Sequence, residues 1–183
     1  NRHQPKAIIP VDLFGKPSAC DEIQQIANEN DLKIIYDAAQ SFGASHDGKK
    51  VGNYGDITTT SFFPAKPLGC YGDGGAIFTN DDSLAELMIS IKNHGMGSHK
   101  YEHINIGLNS RLDTLQAAIL NQKITLLDAE IEKRNEIAEK YNIGFSDLEL
   151  ALPFTSSDKS YAWAQYTLRH KKREKIITEL RNR

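Results

Sequence analysis

Residues 7–37 read AIIPVDLFGKPSACDEIQQIANENDLKIIYD, and this stretch decides the fold class. The apolar run Ala7–Val11 is a short strand candidate, closed by the turn formers Gly15 and Pro17. Ser18 to Asp21 fits a capping box, after which Ile23, Ile26 and Ala27 make one apolar helical stripe. KIIYD, Lys33–Asp37, then reads as a buried strand that ends on an acid. Strand, helix and strand in this order form a βαβ unit, whose strands lie parallel in one sheet. The class is α/β.

Working outward, ITTTSFF (57–63) and AIFT (76–79) add two strands. A helix is predicted from Asp82 to about Asn93, burying Leu84, Leu87, Met88 and Ile91 and stopped by Gly95. Ser110 to Asp113 fits a second capping box and opens a long helical region to about Tyr141. Its apolar register slips between Leu112-Leu115-Ile119 and Leu120-Ile124-Leu127-Ile131, which predicts a kink near Asn121–Lys123. Beyond Gly144, Ser156–Ser160 reads as a loop, AWAQYTLR (162–169) as a strand, and a last helix starts at Arg173.

The 183 residues, 39% hydrophobic and 25% charged, suffice for one good core or for one domain plus part of another. A net charge of -2 and the lack of a basic stripe interleaved with aromatics argue against a nucleic-acid partner. The basic tail HKKREKIITELRNR reads as a solvated helix. No apolar run approaches the roughly 18 residues that cross a membrane, and NRHQPK at the start has no signal-peptide core. Cys20 and Cys70 form neither a disulfide framework nor a zinc pattern, so no metal is expected and a reducing cytoplasm fits. The first residue is not methionine and lies close to a strand, which leads us to expect a preceding segment.

Ligands in open α/β sheets gather beyond the carboxyl ends of the strands. Asp37 closes one strand, Ser61 lies near the end of another, and Lys66 follows in SFFPAKPLGCYGDGGAIFTND (61–81). Between Val51 and Ile91 there is no other lysine or arginine. A phosphate cradle is rejected: neither GxGxxG nor GxxxxGK[ST] occurs, and the glycines lead into a strand instead of a helix N-terminus. The alternative is covalent amine chemistry. Pyridoxal phosphate needs a lysine for a Schiff base, an acid for its ring nitrogen and donors for its phosphate. Lys66, Asp37 and Ser61 match those demands in kind, against the plainer reading of Lys66 as a solvated surface group.

VDLFG (11–15), IIYDAAQSFGA (34–44), TTTSFFPAKPLGCYGDGGAIFTND (58–81), KNHG (92–95) and YEHINIGLNSRLDTLQAAIL (101–120) occur in that order. Together they resemble the DegT/DnrJ/EryC1/StrS sugar aminotransferases, a fold-type I pyridoxal-phosphate group, over roughly residues 7–169. The resemblance implies a partial large domain with a mixed, mostly parallel sheet flanked by helices, then a long helix and the start of a small α+β domain. Its boundaries would be 1–108, 109–145 and 146–183, with both ends short of the family's length.

It further implies Lys66 as the Schiff-base lysine and proton shuttle, Asp37 at the pyridine nitrogen, Gln40 beside the ring and Ser61 at the phosphate. Asn109 would reach the phosphate of a neighbouring subunit's site, in a homodimer with shared active sites. Arg111 would meet the sugar nucleotide or a carboxylate. Plainer readings stay open: Gln40 as a loop cap, Arg111 paired with Asp113, and His94 and His103 each holding a backbone carbonyl. Tyr101 reads as a loop anchor or a substrate-facing ring, and Phe62 and Cys70 as packing residues. Because some members carry histidine at the Lys66 position and are dehydratases, lysine implies transamination. The substrate implied is a nucleotide-linked keto sugar, nearest to a UDP-linked 2-acetamido-3-oxo-glucuronic acid for O-antigen, with glutamate as donor. The competing expectation is a remnant without catalysis that only folds or dimerises.

Overall fold

The computed structural model describes residues 4–156 and 159–182. Strands β1 (Ala7–Ile8), β2 (Lys33–Asp37), β5 (Ile57–Ser61) and β6 (Gly75–Phe78) form one sheet in the order β1-β2-β5-β6. The first two pairings are parallel and the last antiparallel. Helix α1 (Cys20–Glu29) is the crossover between β1 and β2, as the βαβ reading requires. β1 is shorter than the apolar run suggests, because Pro10 interrupts it and Val11 touches Asp37 only through an isolated parallel bridge.

Alternation along the strands separates two faces. Ile34, Tyr36, Thr58 and Thr60 are buried on one of them. Cys20 and Ala27 of α1 pack there against Ile34 and Tyr36, each fully buried aliphatic side chain contributing about 1.5–3 kcal/mol. Farther along, Ala38, Phe62 and Cys70 join a second cluster with Leu120, Leu127 and Ile131. Phe62 and Cys70 are thus packing residues, as expected. The opposite face carries Asp37, Thr59 and Ser61, all half-exposed, and Ile77, which is exposed.

β3 (Ser45–His46) and β4 (Lys49–Lys50) make a hairpin across Asp47 (φ 46°) and Gly48 (φ 72°), the left-handed pair that a two-residue Asp-Gly turn needs. β7 (Lys159–Ser160) adds to β3. The Ser156–Ser160 loop is therefore in part a strand, and Ser157 and Asp158 lie outside the described residues.

Helix α2 (Asp82–Lys92) is capped by Asp81, whose Oδ1 accepts the Leu84 N–H at 3.0 Å. It ends on a Schellman bond from Gly95 N–H to the Ser90 carbonyl, 2.8 Å. The left-handed C′ residue is His94 (φ 62°), not glycine. Gly95 follows because a Cβ there would lie 1.8 Å from the Asn105 carbonyl oxygen. The predicted face of α2 is only half-buried: Leu84, Met88 and Ile91 are partly covered, Leu87 is 43% exposed, and no residue of the helix is fully buried.

Both predicted capping boxes fail. α1 starts after Ala19 with no side-chain cap, because the Ser18 N–H donates to the buried Asp12 carboxylate at 2.8 Å instead. α3 (Thr114–Lys123) starts after Asp113, also without a side-chain cap, so Ser110 and Arg111 precede the helix. The predicted interruption is found just past Asn121–Lys123, as a break: α3 passes through a 3-10 turn at Ile124–Leu126 into α4 (Leu127–Gly144). Residues 162–169 are not a strand. Trp163 sits at φ 45°, and Asn135 and Arg134 of α4 bond the Tyr161 and Trp163 carbonyls at 2.8 and 3.1 Å. Helix α5 (Arg173–Arg181) is mostly exposed, as the tail predicts. No helix among the described residues is long and apolar enough to cross a membrane.

Asp56 ties the central strands together. Its Oδ2 accepts the Ile34 N–H at 2.8 Å, its Oδ1 accepts the Lys33 ammonium at 3.0 Å, and its carbonyl accepts the Thr79 hydroxyl at 2.8 Å. Partial burial works to raise its pKa, but the Ile34 N–H and the Lys33 ammonium outweigh that and hold it below the ordinary carboxylate value. A depressed carboxylate stabilises the fold above its unfolded pKa of about 3.9 and loses that contribution as pH falls through the folded value. Asp56→Ala is expected to lower the urea midpoint at pH 7 by the equivalent of about 1–3 kcal/mol. The gap from wild type should close as pH drops below about 4; a gap that persists in acid contradicts the assignment.

Candidate active site

The register of β2 on β5 sets Asp37 opposite Thr59. Ser61 lies two residues beyond Thr59 and so shares its face with Asp37. The Asp37 backbone is fastened to the loop after β1, donating to the Pro10 carbonyl at 2.9 Å and accepting the Asp12 N–H at 3.0 Å. Its Oδ1 accepts the Ala39 N–H at 3.0 Å, and its Oδ2 makes no hydrogen bond within the described residues.

Lys66 stands in the connection from β5 to β6, and the chain's own bonds close that loop. The Ser61 Oγ accepts the Phe63 N–H at 3.2 Å, the Phe63 carbonyl accepts the Lys66 N–H at 2.9 Å, and the Phe62 carbonyl accepts the Cys70 N–H at 2.8 Å. Gly69 is needed for space: a Cβ there would lie 2.5 Å from the Pro64 carbonyl oxygen. At Gly75 a Cβ would meet the Thr60 carbonyl oxygen at 2.7 Å. These glycines let the chain pass its own backbone, a nearer cause than clearance for a cofactor.

Helix α3 then staples the loop from one face. The Gln116 Oε1 accepts the Tyr71 N–H at 2.8 Å, and the Lys123 ammonium donates to the Gly69 carbonyl and lies over the Tyr71 ring, 5.8 Å from its centroid. Sequence reasoning missed both residues. The available signal was their spacing of about two helical turns, on the stripe that also carries the buried Leu120. Lys66 itself is half-buried, and its ammonium makes no hydrogen bond or ion pair within the described residues.

The Gln40 Oε1 accepts the Phe14 N–H at 2.8 Å, which anchors the turn after β1 as the loop-cap reading expects. The same bond leaves the amide nitrogen as the free donor. Asn109 and Arg111 are exposed, and no hydrogen bond or ion pair links them to Asp37, Ser61 or Lys66. Arg111 does not pair with Asp113. The His103 Nδ1 lies 2.9 Å from the His94 carbonyl, the carbonyl-holding role expected of a loop histidine. Tyr101 is 84% exposed, with the Lys100 ammonium 5.4 Å from its ring centroid.

An unpaired amine on a stapled loop, a carboxylate with one open oxygen and a hydroxyl on the carboxylate's face form the donor set that pyridoxal phosphate demands. A family model described as the DegT/DnrJ/EryC1/StrS aminotransferase family matches residues 2–183. Over 176 residues the chain is 48% identical to the UDP-2-acetamido-2-deoxy-3-oxo-D-glucuronate aminotransferase of Pseudomonas aeruginosa, covering 96% of this chain and 49% of that protein. It matches the crystal structure of a DegT DnrJ EryC1 StrS aminotransferase from Brucella abortus with a TM-score of 0.94 at 47% identity, covering 97% of this chain and 48% of that one. It matches NtdA from Bacillus subtilis, solved with the cofactor PMP bound, with a TM-score of 0.86 at 38% identity, over 96% and 41% of the two chains. The chain spans about half the length of the relatives it matches. Fold, motif order and family match agree: the chain belongs to the DegT/DnrJ/EryC1/StrS aminotransferase family, on part of a fold-type I scaffold.

Proposed function

We propose that this chain contributes the lysine-bearing part of a pyridoxal-phosphate-dependent transaminase. Its substrate is a nucleotide-linked keto sugar, a UDP-3-keto sugar acid, and glutamate is the amino donor. The observation that carries the reading is the unpaired Lys66 ammonium on a loop stapled beside the Asp37 and Ser61 face. The half-length match to the Pseudomonas aeruginosa enzyme supports the choice of sugar.

Lys66 would hold pyridoxal phosphate covalently, and the cofactor would supply an electron sink for proton removal beside the amino group. Asp37 keeps the ring nitrogen protonated through its open Oδ2. Ser61 donates its hydroxyl to the phosphate, and the Gln40 amide nitrogen donates to the ring oxygen. Once the amino donor has displaced it from the cofactor, the freed Lys66 Nζ would accept the proton from the amino-bearing carbon and later give it back, while Arg111 would receive a substrate carboxylate. In this reading residues 1–108 are the later part of the large cofactor-binding domain, 109–145 a connecting helical region and 146–183 the start of a small domain.

Asn109 acts in the site of a second copy. Support comes from the 101–115 segment, where Ile106 is 99% and Leu115 78% exposed, a burden that association relieves. We place the reaction in the cytoplasm, where the two free cysteines stay reduced.

Titration with pyridoxal phosphate, followed by its visible absorbance, is expected to saturate for wild type and to fail for Lys66→Ala. Asp37→Asn should weaken the cofactor by about 10–100-fold, the worth of one charge-assisted hydrogen bond. A folded wild type that never develops the band defeats the reading and favours the non-catalytic remnant. By sedimentation, the chain is expected to run as a dimer and Ile106→Glu as a monomer; equal sedimentation of the two contradicts the shared-site proposal.

A further inference from the structure

A cavity of about 200 Å³ lies between the turn at Leu13–Gly15 and the segment from Pro153 to Arg169. It is smaller than the ~300–1,000 Å³ typical of sites for drug-sized ligands, so it suits a body of fragment size. Phe14, Phe154, Tyr161 and Trp163 supply aromatic walls, and Lys16 and Arg169 are its charged lining residues.

Both walls are locked in place. Phe14 (φ 63°) and Trp163 (φ 45°) each occupy the left-handed region, a conformation that persists only where surrounding structure enforces it. The enforcement is visible. The Ala162 N–H donates to the Gly15 carbonyl at 2.8 Å, and a Cβ on Gly15 would lie 2.6 Å from the Trp163 nitrogen. The Trp163 indole N–H donates to the Asn135 Oδ1 at 3.1 Å, and the Phe14 N–H is held by Gln40.

The charges decide the ligand class. Among the described lining residues there are two cations and no carboxylate. Neither Lys16 nor Arg169 forms a salt bridge with a described residue, and the Lys16 ammonium sits 4.8 Å from the Phe154 ring centroid. Two cations with no carboxylate beside them among the described lining residues attract an anionic ligand more than a neutral one and repel a cationic one. From this we infer that the cavity is a binding site for a small aromatic carboxylate, its flat body between the aromatic walls and its carboxylate on Lys16 and Arg169. The site is separate from Lys66 and does not rest on the cofactor reading.

Trp163 is the sole tryptophan of the 183 residues; its emission reports this cavity and the smaller one it shares with Arg134 and Tyr166, and the Lys16 and Arg169 variants tell the two apart. The chain, without cofactor, is titrated with benzoate and with its uncharged counterpart benzamide. Benzoate is expected to shift the Trp163 emission saturably and to bind at least tenfold more tightly than benzamide. Lys16→Gln and Arg169→Gln, both at exposed positions, should each weaken benzoate several-fold and leave benzamide and the circular dichroism spectrum unchanged. Equal affinity for the two probes overturns the proposal. So does an emission that never saturates, or benzoate binding that survives in the double variant.

Discussion

The parallel register of β2 on β5 is the constraint on which the rest depends. Asp37 opposite Thr59 puts the carboxylate on the same face as Ser61 and leaves Ile34 and Tyr36 to pack toward α1. A slip of one residue would exchange the faces, burying the carboxylate and exposing the Ile34–Tyr36 core. Asp56 opposes such a slip, because its backbone and side chain both engage Ile34 at the start of the pairing.

The loop that carries Lys66 inherits its place from that register. It leaves β5 directly after Ser61, turns back through bonds at Phe62 and Phe63, and is gripped from α3 by Gln116 and Lys123. Under the proposed function, in which Lys66 holds a cofactor and moves a proton, rigid support matters, since loosening by an ångström costs rate steeply. The turn at Leu13–Gly15 has a comparable double role. On one side Gln40 binds it next to Asp37, and on the other it walls the aromatic cavity. Occupancy of the cavity and order at the sheet edge therefore share one short segment.

Much of this arrangement was legible in the residues. KIIYD is found as a strand over the residues read, because its burial pattern and its pairing both favour extended backbone. The register slip in the long helical region correctly marked a break, and His103 holds a backbone carbonyl as read, whereas the His94 ring holds none among the described residues. What failed was local pattern overruled by distant partners. Ser18 and Ser110 have the right spacing for caps, but Asp12 takes the Ser18 N–H, and α3 begins after Asp113. Trp163, Tyr166 and Thr167, residue types common in strands, make 162–169 read as one, although the segment is held by side chains of α4. The Asp47-Gly48 hairpin had a clear signal that the reading passed over. The open oxygen of Asp37 and the anchoring of Gln40 had none, since each depends on contacts between segments far apart in the chain.

The central claim is that Lys66, and no other lysine, carries the cofactor. Reduction of the pyridoxal-phosphate-treated chain with borohydride, followed by peptide mapping, tests it most directly. The account predicts a pyridoxyl group on the peptide containing Lys66 and on no other peptide. Modification at Lys123 or Lys50 with Lys66 untouched, or a scatter over exposed lysines, would contradict it.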